Sequence, residues 1–164
     1  MQLHSKPGCI IAGTGHRPDK IGGQEEQVRE AIRVRLGHYL PSLVISGMAL
    51  GYDQWLAEEA QKLGFPVCAA IPFLGQEDRW PPDARRVYEE ILSKCASRWY
   101  IHFSRPTSYA HAVQLLQERN EWMVDRANLI LSCYNGDPSG GTANCIRYAQ
   151  VRLKTIDNIN PYEL

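Results

Sequence analysis

Val44-Ile45-Ser46-Gly47-Met48-Ala49-Leu50-Gly51-Tyr52-Asp53-Gln54 reads as a buried strand, a turn carrying two glycines, and the first residues of a helix. Near the end of the chain, Asn135-Gly136-Asp137-Pro138-Ser139-Gly140-Gly141-Thr142 has the same layout. A third glycine turn, Ala12-Gly13-Thr14-Gly15-His16-Arg17-Pro18, follows the first apolar run. Glycine lets a backbone approach a ligand closely, and a helix start offers free N–H groups and partial positive charge. Three such junctions in one short chain point to a phosphate site of the kind nucleotides occupy.

The intervening sequence supplies the framework. Cys9–Ala12 is strand one, and Val28, Ala31, Ile32, Leu36, Tyr39 and Leu40 follow at helical spacing, stopped by Pro41. Leu43–Ser46 is strand two, Asp53–Leu63 a helix ended by Gly64, and Pro66–Ile71 strand three. An irregular segment, Phe73–Pro82, leads into a helix to Cys95, with Pro81-Pro82 at its start. Trp99–Phe103 is strand four, Tyr109–Arg126 a long helix, Asn128–Cys133 strand five, Thr142–Leu153 the last helix and Thr155–Ile159 a final strand. Strands alternate with helices throughout, and most strands are continuously apolar, as when both faces are covered. The expected fold is therefore α/β: a Rossmann-like parallel sheet with helices on both faces, one domain over residues 1–164. In such sheets ligands bind beyond the carboxyl ends of the strands, where all three glycine turns fall.

Composition limits the function. The 164 residues carry 18 Lys plus Arg against 18 Asp plus Glu. The balance argues against a large nucleic-acid footprint, which needs a basic excess. No apolar run approaches the ~20 residues of a membrane helix. Met1–Lys6 leads into a strand and lacks a signal-peptide core, so a cytoplasmic protein is expected. The five cysteines are odd in number and include no C-x-x-C pair, which favours buried thiols over disulfides or a metal site. No metal ligand set and no required cofactor are expected beyond a bound nucleotide.

The glycine turns lack the Walker pattern, and Pro18 interrupts a G-x-G-x-x-G reading. Around them, several side chains have two uses. Asp53 suits ribose hydroxyls or a helix cap. Ser139 and Thr142 suit phosphate or a cap, and His16 with Arg17 suits phosphate or a solvated turn. Asn144 can reach ligand from a first helical turn or sit on the surface. In Gln76-Glu77-Asp78-Arg79-Trp80-Pro81-Pro82, Arg79 can pair with phosphate and Trp80 can stack on a base, as a lid, or Trp80 can anchor the loop on the core. Trp122 and Met123 sit where core packing is the default.

Ile45-Ser46-Gly47-Met48-Ala49-Leu50-Gly51-Tyr52-Asp53 resembles the S-G-x-A-x-G-x-D stretch of the DNA-processing protein DprA. Gly140-Gly141-Thr142 resembles the glycine-threonine signature of the Lonely Guy phosphoribohydrolases. Both are SLOG-superfamily Rossmannoids. Taken together, Gly13–Pro18, Ile71-Pro72-Phe73 with Gln76–Pro82, Arg119–Arg126 and Gly140–Asn144 resemble the YpsA-like branch, over roughly residues 9–160. The resemblance implies the fold, a nucleotide or ADP-ribose-like ligand, and a homo-oligomer, for which the several apolar faces of Ala110–Met123 also speak. The expected ligand-binding set is then Gly13, Thr14, Gly15, His16 and Arg17; Ser46, Gly47, Met48, Gly51 and Asp53; Pro72, Phe73, Arg79 and Trp80; Arg119 and Asn120; and Gly136, Ser139, Gly140, Gly141, Thr142 and Asn144.

Three functions compete. The preferred one is a binding protein that senses, carries or sequesters a nucleotide-derived ligand. The second is an enzyme cleaving an N-glycosidic or phosphate bond, with Arg119 and Asp53 as catalytic residues. Lonely Guy enzymes pair a helix arginine with the glutamate of a G-T-x-x-E motif. Arg119 fits the arginine, but the glutamate position is Cys145, a departure that counts against this hydrolysis. The third is a DprA-like nucleic-acid module, disfavoured by the neutral charge.

Overall fold

A computed structural model describes residues 8–21 and 23–164; the N-terminal stretch Met1–Lys6 lies outside the described residues. The elements are β1 (Ile10–Gly15), α1 (Glu25–Tyr39), β2 (Leu43–Ser46), α2 (Tyr52–Lys62), β3 (Val67–Ile71), α3 (Pro82–Ser93), β4 (Ser97–Tyr100), α4 (Tyr109–Arg126), β5 (Leu129–Cys133), α5 (Gly140–Val151) and β6 (Thr155–Ile159). Short 3-10 turns span Pro18–Lys20 and Pro161–Glu163. The six strands form one sheet in the order β4-β3-β2-β1-β5-β6, every neighbouring pair parallel. This is the single-domain, Rossmann-like α/β architecture the sequence implies.

Side-chain alternation on the strands divides the core in two. Ile11, Val44, Val67, Ala69, Ile71, Leu129 and Leu131 meet Val28, Ile32 and Leu36 of α1, Leu56 and Ala60 of α2, and Ile91 of α3. On the opposite face, Ala12, Ile45, Cys68, Ala70 and Ile130 meet Met123 and Val124 of α4 and Cys145 and Ala149 of α5. The period of two puts successive residues on opposite faces, so a continuously apolar strand serves both layers. Each fully buried Leu or Ile contributes about 1.5–3 kcal/mol. Arg29 and Arg33 of α1 reach the buried Glu59 of α2 at 2.9 and 3.2 Å, fastening the two helices together. Among the described residues no helix is long and apolar enough to cross a membrane.

Several element boundaries differ from expectation. β1 runs on through Gly13, Thr14 and Gly15, which pair with Leu131, Ser132 and Cys133 of β5. These glycines are strand residues rather than a turn. Their missing side chains make room for α2: a Cβ on Gly15 would lie 2.7 Å from Tyr52 Cβ, and one on Gly13 would strike the Leu56 side chain. Tyr52 is fully buried, and its hydroxyl donates to Leu131 O at 2.9 Å. Gly15→Ala is therefore expected to lower stability by about 1–3 kcal/mol through overpacking, measured by urea unfolding. α5 begins at Gly140, two residues earlier than expected.

β4 covers Ser97–Tyr100, whereas the aromatic run predicts Trp99–Phe103. It is an edge strand paired only with β3, and the chain leaves the sheet once Ile101 N has bonded Ile71 O. Its aromatic residues stay near the surface. Trp99 stacks on Trp122 of α4 with ring centroids 5.4 Å apart, and Arg126 lies 4.1 Å over the Trp122 ring. Trp122 is partly buried and packs against the core from beneath this stack, and Met123 is a core residue.

Candidate functional site

The sheet order changes direction at β1: the chain moves outward through β2, β3 and β4, then returns to lay β5 and β6 on the other side. Parallel strands on either side of such a switch leave a crevice beyond their carboxyl ends. A cavity of about 340 Å³ occupies that place. Thr14, Gly15 and His16 come from the end of β1, with Arg17, Asp19 and Lys20 from the turn behind it. Ala49 and Asp53 come from the β2–α2 junction, Phe73, Gln76 and Trp80 from the loop after β3, Leu116, Arg119 and Asn120 from α4, and Ser139–Thr142 from the start of α5.

The anion-binding side is the start of α5. Ser139 occupies the N-cap position but makes no side-chain cap; its hydroxyl donates to Asp137 Oδ1 at 2.8 Å instead. The opening amides of the helix therefore face the cavity without a side-chain acceptor, carrying the partial positive charge of the helix end. Gly140 has φ +90°, a conformation only glycine adopts readily, and a Cβ on Gly141 would meet open space. Arg17 and Lys20 line the same cavity, with the Lys20 ammonium 3.2 Å from Asp137 Oδ2. His16 is buried, its Nε2 3.1 Å from the Asn135 N–H and 2.9 Å from Asn135 Oδ1. Burial holds its pKa below the ordinary histidine value, so the lasting positive charge of the His16-Arg17 pair comes from Arg17.

Arg119 and Asp53 form the floor. The Arg119 guanidinium is buried, its Nη1 donating to Gly47 O at 2.6 Å and Ala70 O at 3.4 Å, and its Nε to Asn120 Oδ1 at 3.2 Å. These bonds fix the plane of the group and leave Nη2 for an occupant. Asp53 is not a helix cap, because Gly51 with φ 91° holds that position. Its Oδ2 receives only a 3.4 Å contact from the Ala49 N–H. Burial pushes its carboxyl up to about 6, with Arg119 and the Ala49 N–H pulling the other way.

Several residues expected at the site build it from behind. Ser46 Oγ donates to Asp53 O and accepts from Met48 N. Gly47 leaves room for Arg119, whose Cζ would lie 2.7 Å from an added Cβ. Met48 is buried with φ 62°, and Gly51 packs on His16 O and Pro18. Gly13 and Pro72 are buried beneath the cavity, and Gly136 turns the chain at φ 90° on the surface. Asn144 is exposed and accepts a hydrogen bond from Arg147. Arg79 is exposed and does not line the cavity.

Trp80 does line it, held edge-on against Tyr88 at 5.4 Å. Gln76 donates to Gly47 O at 3.4 Å, and Arg105 grips Asp78 at 2.7 Å, so the loop stands as a pinned wall in this structure. Asp19, Lys20, Ala49, Gln76 and Leu116 were not singled out from the sequence. Leu116 had a signal, since it lies three residues before Arg119 on the same helix face. Lys20 had none, because its place depends on the 3-10 turn after Pro18. Cys145 is buried behind the cavity, and burial pushes its thiol up to about 11. The carboxylates lining the cavity are those of Asp53 and Asp19. Among the described residues no three His, Cys, Asp or Glu side chains are grouped to hold a metal ion.

The pattern of the YpsA family, described as the YspA SLOG family, matches residues 14–164. A UPF0398 protein of Bacillus velezensis is 27% identical over 161 residues, covering 89% of this chain and 86% of the relative. One from Bacillus pumilus is 25% identical over 155 residues, covering 86% and 81%. Among solved structures, DNA processing protein A (DprA) from Streptococcus pneumoniae superposes with a TM-score of 0.67 at 17% identity. The match covers 93% of this chain and half of DprA. The structural-genomics target TM1055 superposes with a TM-score of 0.58 at 15% identity, covering 90% of this chain and 72% of that one. These two likenesses concern the fold.

Proposed function

The chain belongs to the YpsA SLOG family, and from that premise we propose that it binds a nucleotide or nucleotide-derived ligand, as a sensor, carrier or sequestering protein of the cytoplasm. The observation that carries this reading is the uncapped start of α5, which opens onto the same cavity as Arg17, Lys20 and Arg119. Backbone amides and cations together suit phosphate. Asp53 is an acceptor for ribose hydroxyls, and Phe73, Trp80 and Leu116 offer the apolar surface a base needs. The exposed aromatic edge at Trp99, Phe103 and Tyr109 supports self-association as part of the same proposal.

The test is Gly141→Val. Space around Gly141 lets the variant fold, while the new side chain projects where phosphate would approach. Affinity for AMP and ADP in titration calorimetry is expected to fall at least tenfold with circular dichroism unchanged. Equal affinity in the folded variant would remove the α5 turn from the site. Mass spectrometry of small molecules released on denaturation would name the ligand.

A second reading, N-glycosidic hydrolysis of a nucleotide, is favoured by one observation. Asp53, a carboxylate whose pKa is pushed up to about 6, shares the cavity with Arg119. A buried acid of that pKa suits proton transfer near neutrality. Release of free base from nucleoside monophosphates, abolished by Asp53→Asn, would establish this reading over simple binding.

A further inference from the structure

The side-chain amide of Gln76 has one half committed and one half free. Its Nε2 donates to Gly47 O at 3.4 Å and to the Tyr88 hydroxyl at 3.3 Å, so both of its N–H groups are used. Its Oε1 accepts from no donor among the described residues. Nor is that oxygen sealed in the interior: among the described residues the sealed side-chain polar atom without a partner is Trp122 Nε1. Gln76 lines the cavity, so Oε1 is an open acceptor there. The amide is also locked, since turning it over would set Oε1 against Gly47 O, a carbonyl with no hydrogen to give. The same Gly47 O accepts from Arg119 Nη1 at 2.6 Å; Arg119 Nε donates to Asn120 Oδ1 at 3.2 Å, and Asn120 Nδ2 to Gly141 O at 3.4 Å. This chain of hydrogen bonds runs along the cavity from the α5 turn to Gln76, with the phosphate seat at one end and Gln76 at the other. Phe73 and Trp80, on the same loop as Gln76, bring aromatic surface to that end.

We propose that Gln76 is the specificity-determining residue of this cavity, its fixed carbonyl accepting from an exocyclic amino group, so that the ligand is a nucleotide whose base bears such a group. This rests on the nucleotide reading and adds to it the choice of base. An exocyclic amino group on a purine or pyrimidine is a donor, whereas a ring oxygen substituent at the same position is an acceptor. A keto group facing Gln76 would set two acceptors together and leave both without a donor, because the locked amide has no free N–H to offer. Discrimination of this kind is strong, since the wrong base leaves the polar group of the site unpaired. A glutamine free to turn would serve amino and keto bases alike. The contacts to Gly47 and Tyr88 remove that freedom, and Gly47 is itself held in place by Arg119.

The experiment is calorimetric titration of the wild type and Gln76→Met with pairs of nucleoside monophosphates that differ at one amino position: AMP against IMP, CMP against UMP, and GMP against IMP. The wild type is expected to bind the amino member of at least one pair at least tenfold more tightly than its counterpart, and the pair that discriminates names the base. Gln76→Met keeps the length of the side chain without its polar end. In that variant the amino member should fall to the level of its counterpart, whose own affinity stays as in the wild type and reports an intact cavity. Gln76 is half-buried in a loop, circular dichroism checks folding, and Gln76→Leu takes the place of a misfolded Gln76→Met. No preference for the amino member of any pair, or a preference that survives the substitution, overturns the role of Gln76 and leaves the nucleotide reading standing. Failure of every nucleotide to bind the wild type overturns the nucleotide reading, and the role of Gln76 with it.

Discussion

Arg119→Ala is expected to weaken nucleotide binding about a hundredfold and to destabilise the fold by about 2–4 kcal/mol. The side chain has two tasks. It donates to the carbonyls of Gly47 and Ala70 deep under the cavity, and its removal leaves buried acceptors short of partners, at about 1–3 kcal/mol each. Its remaining terminal nitrogen faces the cavity, where a charge-assisted hydrogen bond contributes about 1.5–3 kcal/mol. Urea unfolding reads the first effect and calorimetry the second. Arg119→Lys separates them further, since an ammonium keeps the charge but cannot serve two carbonyls and a ligand in one plane. Wild-type affinity in a folded Arg119→Ala protein would make the residue a strut alone.

Asp53→Asn is expected to do the opposite to stability: the variant should be more stable than the wild type at pH 7, by up to ~3 kcal/mol, while binding nucleotide at least tenfold more weakly. Burial raises the Asp53 pKa from 3.8 to about 6. A carboxyl that holds its proton more tightly when folded favours the folded state at low pH. That gain is complete below pH 4 and is lost as the pH rises to 6; above it, the charged carboxylate is carried at a cost of about 1.4 kcal/mol per pKa unit. Asparagine keeps the shape without the charge. The difference in stability between variant and wild type, followed by urea unfolding, should therefore grow between pH 4 and pH 6 and level off above. A flat difference across that range would mean that Asp53 is not destabilised by burial. A residue retained at a stability cost is characteristic of a working site.

The fold was legible because its signals are local. Helical spacing in Val28, Ile32 and Leu36, stops at Pro41 and Gly64, and apolar strands of four to six residues each carry their own periodicity. β4 misled for a physical reason. Its aromatic residues have high strand propensity, but their surroundings at a sheet edge and over Trp122 are decided by distant parts of the chain. The site was legible by segment rather than by side chain. In the sequence, Gly47, Met48 and Gly51 read as ligand contacts because a glycine turn at a strand end has that look. What the sequence does not reveal is which atoms face outward. Here Arg119 fills the space behind Gly47, and Ala49 and Asp53 of that stretch line the cavity. Gly13 and Gly15 show the same ambiguity: a glycine that admits a ligand and one that admits a neighbouring helix are written alike.

Ser139 turns its hydroxyl to Asp137 and leaves α5 without a cap. A helix end in that condition relies on water, and its first turn frays more readily than the turns behind it. An anion seated there would play the part that a capping side chain plays elsewhere, adding its binding free energy to the stability of the folded chain in proportion to its concentration. The occupant is then a missing piece of secondary structure as much as a guest, and the rigidity of the last helix becomes a gauge of how much of it the surroundings contain.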